Sequence, residues 1–158
     1  MKIVVGSDHR GFEAKQQIKA IAAELGHECI DVGTTNNNPV DYPDLAYLAA
    51  TAVSKKQADR AILVCATGIG MCIAANKVHE IRAALCHDEL SAQISRDHND
   101  ANVLCLSGDQ VGEVILRKMV EVWLNTEFSG GRHERRVKKI KAIEEGKDPR
   151  TVNKANVK

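Results

Sequence analysis

Cys65-Ala66-Thr67-Gly68-Ile69-Gly70 places a thiol, a hydroxyl and two glycines within six residues. The segment closes the most apolar run of the chain, residues 61–65, and opens a helical pattern, residues 68–77. Glycines at such a turn present bare backbone N–H groups at a helix N-terminus, which stabilises anions. A free thiol has a pKa of about 8.5, and a helix N-terminus lowers it. Cys65 is therefore placed to act as a base or a nucleophile. A free Cys is more often a small buried hydrophobe. That reading suits Cys29, Cys72, Cys86 and Cys105, which fall inside strand or helix patterns. Gly68-x-Gly70 matches only part of a dinucleotide fingerprint, because Ile73 stands at the third glycine position. No Walker lysine follows, which excludes a nucleotide P-loop.

His9 and His98 are the two imidazoles with polar company, Asp8 for the first and Asp97, Asn99 and Asp100 for the second. Imidazole titrates near neutrality and suits proton transfer to a substrate oxygen. His27, His79 and His87 lack such neighbours and read as structural. The spacing of His9, His98 and His133 does not argue for a metal site. In Gly130-Gly131-Arg132-His133-Glu134-Arg135-Arg136, the pair Arg132 and Arg136 is spaced i,i+4 and shares one helix face. Arginine forks at that spacing grip a phosphate. Arg135, Lys138, Lys139 and Lys141 read as a solvated face.

These groups need a scaffold, and the hydropathy pattern supplies one. Short apolar runs at residues 3–5, 29–32, 61–65, 82–86 and 103–107 read as strands. Helical patterns at residues 12–25, 43–54, 68–77, 88–97 and 111–125 separate and follow them. The expected fold is α/β: a doubly wound, five-stranded parallel sheet with helices on both faces, Rossmann-like or flavodoxin-like. An additional C-terminal helix spans residues 132–145, and a polar tail follows at 146–158. Residues 1–145 read as one domain. In the common 2-1-3-4-5 order the first and third strands are neighbours. Ligands bind beyond the C-terminal ends of such strands. That rule points to residues 7–11, 41–44 and 65–70, and to the segment around His98-Asn99.

Composition narrows the function. The 158 residues carry 22 Lys+Arg against 21 Asp+Glu, so no global field marks a nucleic-acid or membrane partner. Aromatic residues make up 3%, too few for a base-stacking surface. Apolar runs stop near six residues, far short of the roughly 20 a spanning helix needs. Met1 leads directly into a strand pattern with no signal peptide. Five scattered cysteines without CxxC spacing read as free thiols of a reducing cytoplasm.

Taken in order, the strings resemble the ribose-5-phosphate isomerase B family, which includes the galactose-6-phosphate isomerase subunits. They are Gly6-Ser7-Asp8-His9 with Gly11-Phe12, Asp41-Tyr42-Pro43, and residues 65–70 followed by Ala74-Ala75-Asn76-Lys77. Ile81-Arg82-Ala83-Ala84, residues 95–104 and Gly130-Gly131-Arg132-His133-x-x-Arg136-Val137 complete the set. The resemblance spans residues 1 to about 145. It implies a metal-free, cofactor-free interconversion of an aldose phosphate and a ketose phosphate. It further implies a homodimer with active sites at its interface, often paired into a tetramer.

By the same resemblance, Cys65 moves a proton between C2 and C1, His98 opens the sugar ring, and Thr67 supports the cysteine or the intermediate. Asp8 and Asn99 contact sugar hydroxyls, with Tyr42, Gly68 and Gly70 in the binding crevice. His9, Arg132 and Arg136 hold the phosphate, sometimes with His133. His98 and Asn99 serve the crevice of the neighbouring chain. The substrate implied is ribose 5-phosphate. The alternatives are a hexose 6-phosphate (allose or galactose) and a non-catalytic sugar-phosphate binding module. The galactose 6-phosphate relatives divide the catalytic set between two different chains, whereas here it stands in one. Asp109 departs from the pattern: many members carry an arginine there, donated from the second subunit to the phosphate. An acidic group near a dianion is repulsive, so Asp109 is expected to turn away or to alter substrate preference.

Overall fold

A computed structural model describes residues 1–152. The strands are β1 (Lys2–Ser7), β2 (Glu28–Asp31), β3 (Arg60–Cys65), β4 (Ala83–Leu85) and β5 (Val103–Ser107). The helices are α1 (Phe12–Glu24), α2 (Tyr42–Ser54), α3 (Ile69–Ala75), α4 (Glu89–Asn99), α5 (Glu113–Asn125) and α6 (Arg132–Glu144). All strand pairs are parallel. Alternation along each strand divides the core in two. Ile3, Val5, Ile62, Val64, Leu104 and Leu106 pack under α1, α4 and α5, around Trp123 and Met119. Val4, Ala61, Leu63, Cys65, Val103 and Cys105 face α2 and α3. There Ala46, Ala49 and Ala50 let α2 lie close to the sheet.

The sheet order is β2-β1-β3-β5-β4, not the expected 2-1-3-4-5. Burial explains the exchange. Every residue of β5 is buried, whereas all three residues of β4 are only half-buried. The longer, more apolar strand takes the interior place beside β3, and the short one takes the edge. β1 still adjoins β3, so the turns after these strands flank one crevice.

Polar side chains lock the connections. Lys15 of α1 is fully buried, and its Nζ donates to Asp31 Oδ1 at 2.8 Å and to the Thr34 carbonyl at 2.5 Å. This ties the chain after β2 to α1. Lys139 Nζ donates to the Pro149 carbonyl at 2.7 Å, and Asp148 caps a 3₁₀ turn at Pro149–Thr151. The first part of the polar tail thus folds back on α6. The rest of it, 153–158, lies outside the described residues. Among those described, no helix is long and apolar enough to cross a membrane.

Candidate active site

Cys65 ends β3 on the α2/α3 face and is 5% exposed. Gly68 then turns the chain at φ +76°, where a Cβ would stand 2.6 Å from Leu85 Cδ1 and 2.9 Å from the Leu106 carbonyl oxygen. Only glycine takes that position without strain or clash. The turn swings the Gly68 amide back, and its N–H donates to Cys65 Sγ at 3.1 Å. The N–H dipole points at the atom that carries charge when Cys65 acts as a base. Thr67 Oγ1 accepts from the Ile69 amide at 3.3 Å, which leaves its hydroxyl hydrogen to donate outward.

Two expectations change here. The helix is shorter than residues 68–77, and the Gly68 amide serves sulfur rather than a substrate oxyanion. Gly70, in the first turn, has no intrahelical acceptor for its N–H and is left for that role. A Cβ on Gly70 would sit 2.6 Å from the Tyr42 ring, so the glycine lets Tyr42 roof the turn.

The β1 turn closes the other side of the crevice. Asp8 N donates to the Val64 carbonyl at 3.2 Å. Asp8 Oδ1 accepts from the Arg10 and Gly11 amides, both at 3.0 Å, so only Oδ2 is left for a ligand. The Val40 amide donates to His9 Nδ1 at 3.3 Å. That bond assigns the proton of neutral His9 to Nε2, which becomes a donor. Arg10 and Asp109 pair across the top of β3, joining the turns after β1 and β5. Sequence reasoning missed Arg10 because its partner is 99 residues away.

The remaining candidates form a second cluster. His98 and His133 stack with ring centroids 4.0 Å apart and planes 9° from parallel. Asp97 Oδ2 lies 3.3 Å from His98 Nε2, and Ser129 Oγ donates to Asp97 Oδ1. Arg132 Nε donates to His133 Nε2 at 3.2 Å. Burial, together with His98, Arg132 and Arg136, pushes the His133 imidazole below its ordinary range, against Asp97. Arg132, Arg136 and Asn99 are exposed. Arg135 departs from the solvated face expected for it: it is half-buried, and its Nε has no partner among the described residues. The end of α4 is clamped through Asp100, a left-handed cap at φ +46°. Arg82 Nη2 and Arg96 Nη1 each donate to that carboxylate at 2.8 Å. These two arginines stand in the matched strings but received no role there, although Arg96 and Asp100 carry an i,i+4 signal.

The two clusters lie at opposite ends of the sheet. α4 runs back against the strands and delivers His98 and Asn99 beside the start of β5, whereas Cys65 stands at the end of β3. Six residues of β3 separate these ends by roughly 17 Å at about 3.3 Å per residue. This corrects the expectation that His98-Asn99 sits beyond strand C-termini. That rule covers turns leaving strands, and His98-Asn99 lies on a connection entering one. His9 belongs to the first cluster, so it cannot join His98 and His133 around one ion within a chain.

The chain is 46% identical to ribose-5-phosphate isomerase B of Escherichia coli, over 91% of this chain and 97% of that one. Its fold matches Clostridium thermocellum ribose-5-phosphate isomerase B with a TM-score of 0.91 and 48% identity, covering 92% and 99% of the two chains. It also matches the Mycoplasma genitalium enzyme solved with bound ribulose 5-phosphate, at a TM-score of 0.88 and 40% identity, covering 91% and 96%. The model of one family, ribose/galactose isomerase, matches residues 3–140, from the first strand into the last helix. Both clusters fall within that span, and the chain belongs to the ribose/galactose isomerase family.

Proposed function

We propose that this chain interconverts ribose 5-phosphate and ribulose 5-phosphate as a homodimer. Each active site joins the Cys65 end of one copy to the His98 end of the other. The observation that carries this reading is the separation of Cys65 and His98 to opposite ends of one sheet. A single copy holds both halves of the chemistry and cannot bring them together. Tyr47 and Leu48 of α2 and Ile69 and Ile73 of α3 are exposed apolar side chains beside the Cys65 turn, suited to burial by a second copy.

The chemistry follows from the groups. His98 protonates the ring oxygen as the C1–O bond opens and the anomeric hydroxyl becomes an aldehyde. Cys65 then takes the C2 proton and returns it to C1, while the hydroxyl proton passes from O2 to O1. The Gly70 amide and the Thr67 hydroxyl meet the enediolate oxygens, a stabilisation that is usually the largest single contribution to such catalysis. Asp8 Oδ2 and Asn99 orient hydroxyls. His9 Nε2, Arg132 and Arg136 hold the phosphate. The net reaction only relocates protons and electrons within the sugar, so it balances without a cofactor. We read residues 1–145 as the working unit, assign no role to 146–158, and place the enzyme in the cytoplasm on the strength of its five free thiols.

Subunit complementation tests the reading. Cys65→Ala and His98→Asn each disable every site of their own homodimer. Mixed and allowed to exchange, they form heterodimers with one intact and one doubly defective site. Random pairing restores roughly a quarter of wild-type activity, as two-fold symmetry dictates. No recovery after verified exchange would place Cys65 and His98 in the same copy's site and reject the proposal.

A further inference from the structure

The family resemblance assigns His133 to the phosphate, but its surroundings suit another task. The residue is 7% exposed, more buried than Asp97, His98, Asn99, Arg132 or Arg136. One face of its ring lies flat on His98. Its Nε2 accepts from Arg132 Nε, so that nitrogen carries no proton and cannot donate to a phosphate. The proton of neutral His133 then sits on Nδ1, and the Arg132 contact and the stack on His98 together fix the ring in place.

We propose that His133 is a positioning residue for the ring-opening acid: it backs His98 with a flat surface that excludes water, and it leaves the phosphate to Arg132, Arg136 and His9. The inference rests on the active-site reading above. Two contacts meet His98, from Asp97 and His133, and two further contacts hold those residues in place. Asp97 fixes its Nε2 edge, Ser129 anchors Asp97, and His133 covers one ring face while Arg132 holds His133 in register. A ring stacked at 4.0 Å cannot tilt without opening a gap behind it. The arrangement therefore fixes the direction of the His98 proton. Such alignment matters for a proton transfer, where a displacement of about 1 Å costs on the order of 10²-fold.

Two reactions separate positioning from phosphate binding. Turnover of cyclic ribose 5-phosphate needs the ring to open. Deuterium exchange at C1 of ribulose 5-phosphate in D₂O, followed by NMR, needs Cys65 but no ring opening, because that ketose is already linear. His133→Ala should lower turnover of ribose 5-phosphate by about 10–100-fold, in the range set by misalignment. It should leave C1 exchange and the inhibition constant of inorganic phosphate close to wild type. His133→Phe restores a flat ring and should recover most of the turnover. Should the alanine variant unfold, His133→Leu fills the volume without a flat ring and takes its place. A rise in the phosphate inhibition constant in step with the loss, or a Phe variant as impaired as Ala, overturns the proposal. His98→Asn is the reference. If it fails to split turnover from exchange, the active-site reading itself has failed. If it splits them and His133→Ala does not, only this inference has failed.

Discussion

Asp109 accepts two hydrogen bonds from Arg10 on a single oxygen, Oδ2, from Nη2 at 2.5 Å and from Nε at 3.0 Å. The pair crosses the end of β3, because β1 and β5 are the neighbours of that strand. Where many relatives carry an arginine, this chain has a carboxylate that does not simply turn away: it neutralises an arginine from the opposite turn. Asp109→Ala should therefore release the Arg10 charge beside His9 and lower the inhibition constant of inorganic phosphate. Arg10→Ala should leave an unpaired carboxylate and raise it. Exposed pairs are screened by solvent, so each change should be no more than a few-fold. An unchanged constant in both variants would show that the pair does not sense the phosphate.

Cys65→Ala should remove isomerisation by about 10²–10⁴-fold, the range for loss of a general base, while inorganic phosphate still binds, as calorimetry checks. Chemical labelling should follow a different residue. Cys65 is nearly buried, whereas Cys72 is half-exposed. A hydrogen bond from Cys105 brings the Cys72 thiol down to about 7, against burial, helped by the Leu85 backbone and Asn76. Iodoacetamide at neutral pH should label Cys72 first, at a rate that rises as pH passes through about 7. Mass spectrometry checks the order of labelling. Turnover should persist after Cys72 is modified more completely than Cys65.

The fully buried Lys15 makes Asp31 a stability determinant. Burial raises the Asp31 carboxyl, but hydrogen bonds from Lys15 and Lys19 and the Gly33 amide outweigh it and hold the group below its ordinary range. A lowered carboxyl contributes stability above its unfolded pKa of about 3.9 and loses it as pH falls through the folded value. Acid unfolding should therefore begin below about pH 4 and be advanced by Asp31→Asn. That variant leaves a buried cation without its charged partner and should cost about 2–3 kcal/mol at neutral pH. Lys15→Met removes the buried charge and should cost less, as read from urea midpoints.

Arg136→Ala should raise KM for phosphorylated substrates about 10–100-fold, the value of a forked contact to an anion. Arg135→Ala should leave KM unchanged, because its half-buried side chain turns off the exposed face shared by Arg132 and Arg136. The same measurement on both variants decides which face of α6 meets the phosphate.

Element types were legible because periodicity reports burial directly. The alternation of Ile3, Val4 and Val5 between two cores and the apolar face of residues 114–124 need no long-range knowledge. Cys65, Thr67 and Gly68 were legible as a site because they are contiguous. The place of His98 was not, since a short polar segment gives no sign of whether it enters or leaves a strand. The burial of Lys15 was not legible because its acceptors, Asp31 and the Thr34 carbonyl, lie outside its own helix. The β4/β5 exchange turned on how deeply each run is buried, which the length of the apolar runs at 82–86 and 103–107 did not distinguish.

That exchange also has a bearing on synthesis. β4 pairs only with β5, which is made after it. β1, β2 and β3 can assemble as they leave the ribosome, but β4 emerges with no strand to join. It must wait, with α4, until residue 107 is clear of the exit tunnel. A nascent chain stalled before Val103 exposes the unpaired edge of β3, the strand whose every residue is buried in the finished sheet. Such edges recruit other chains. The interior place of β5 therefore ties completion of the sheet to its arrival, and truncations between Leu85 and Val103 should aggregate rather than yield a smaller domain.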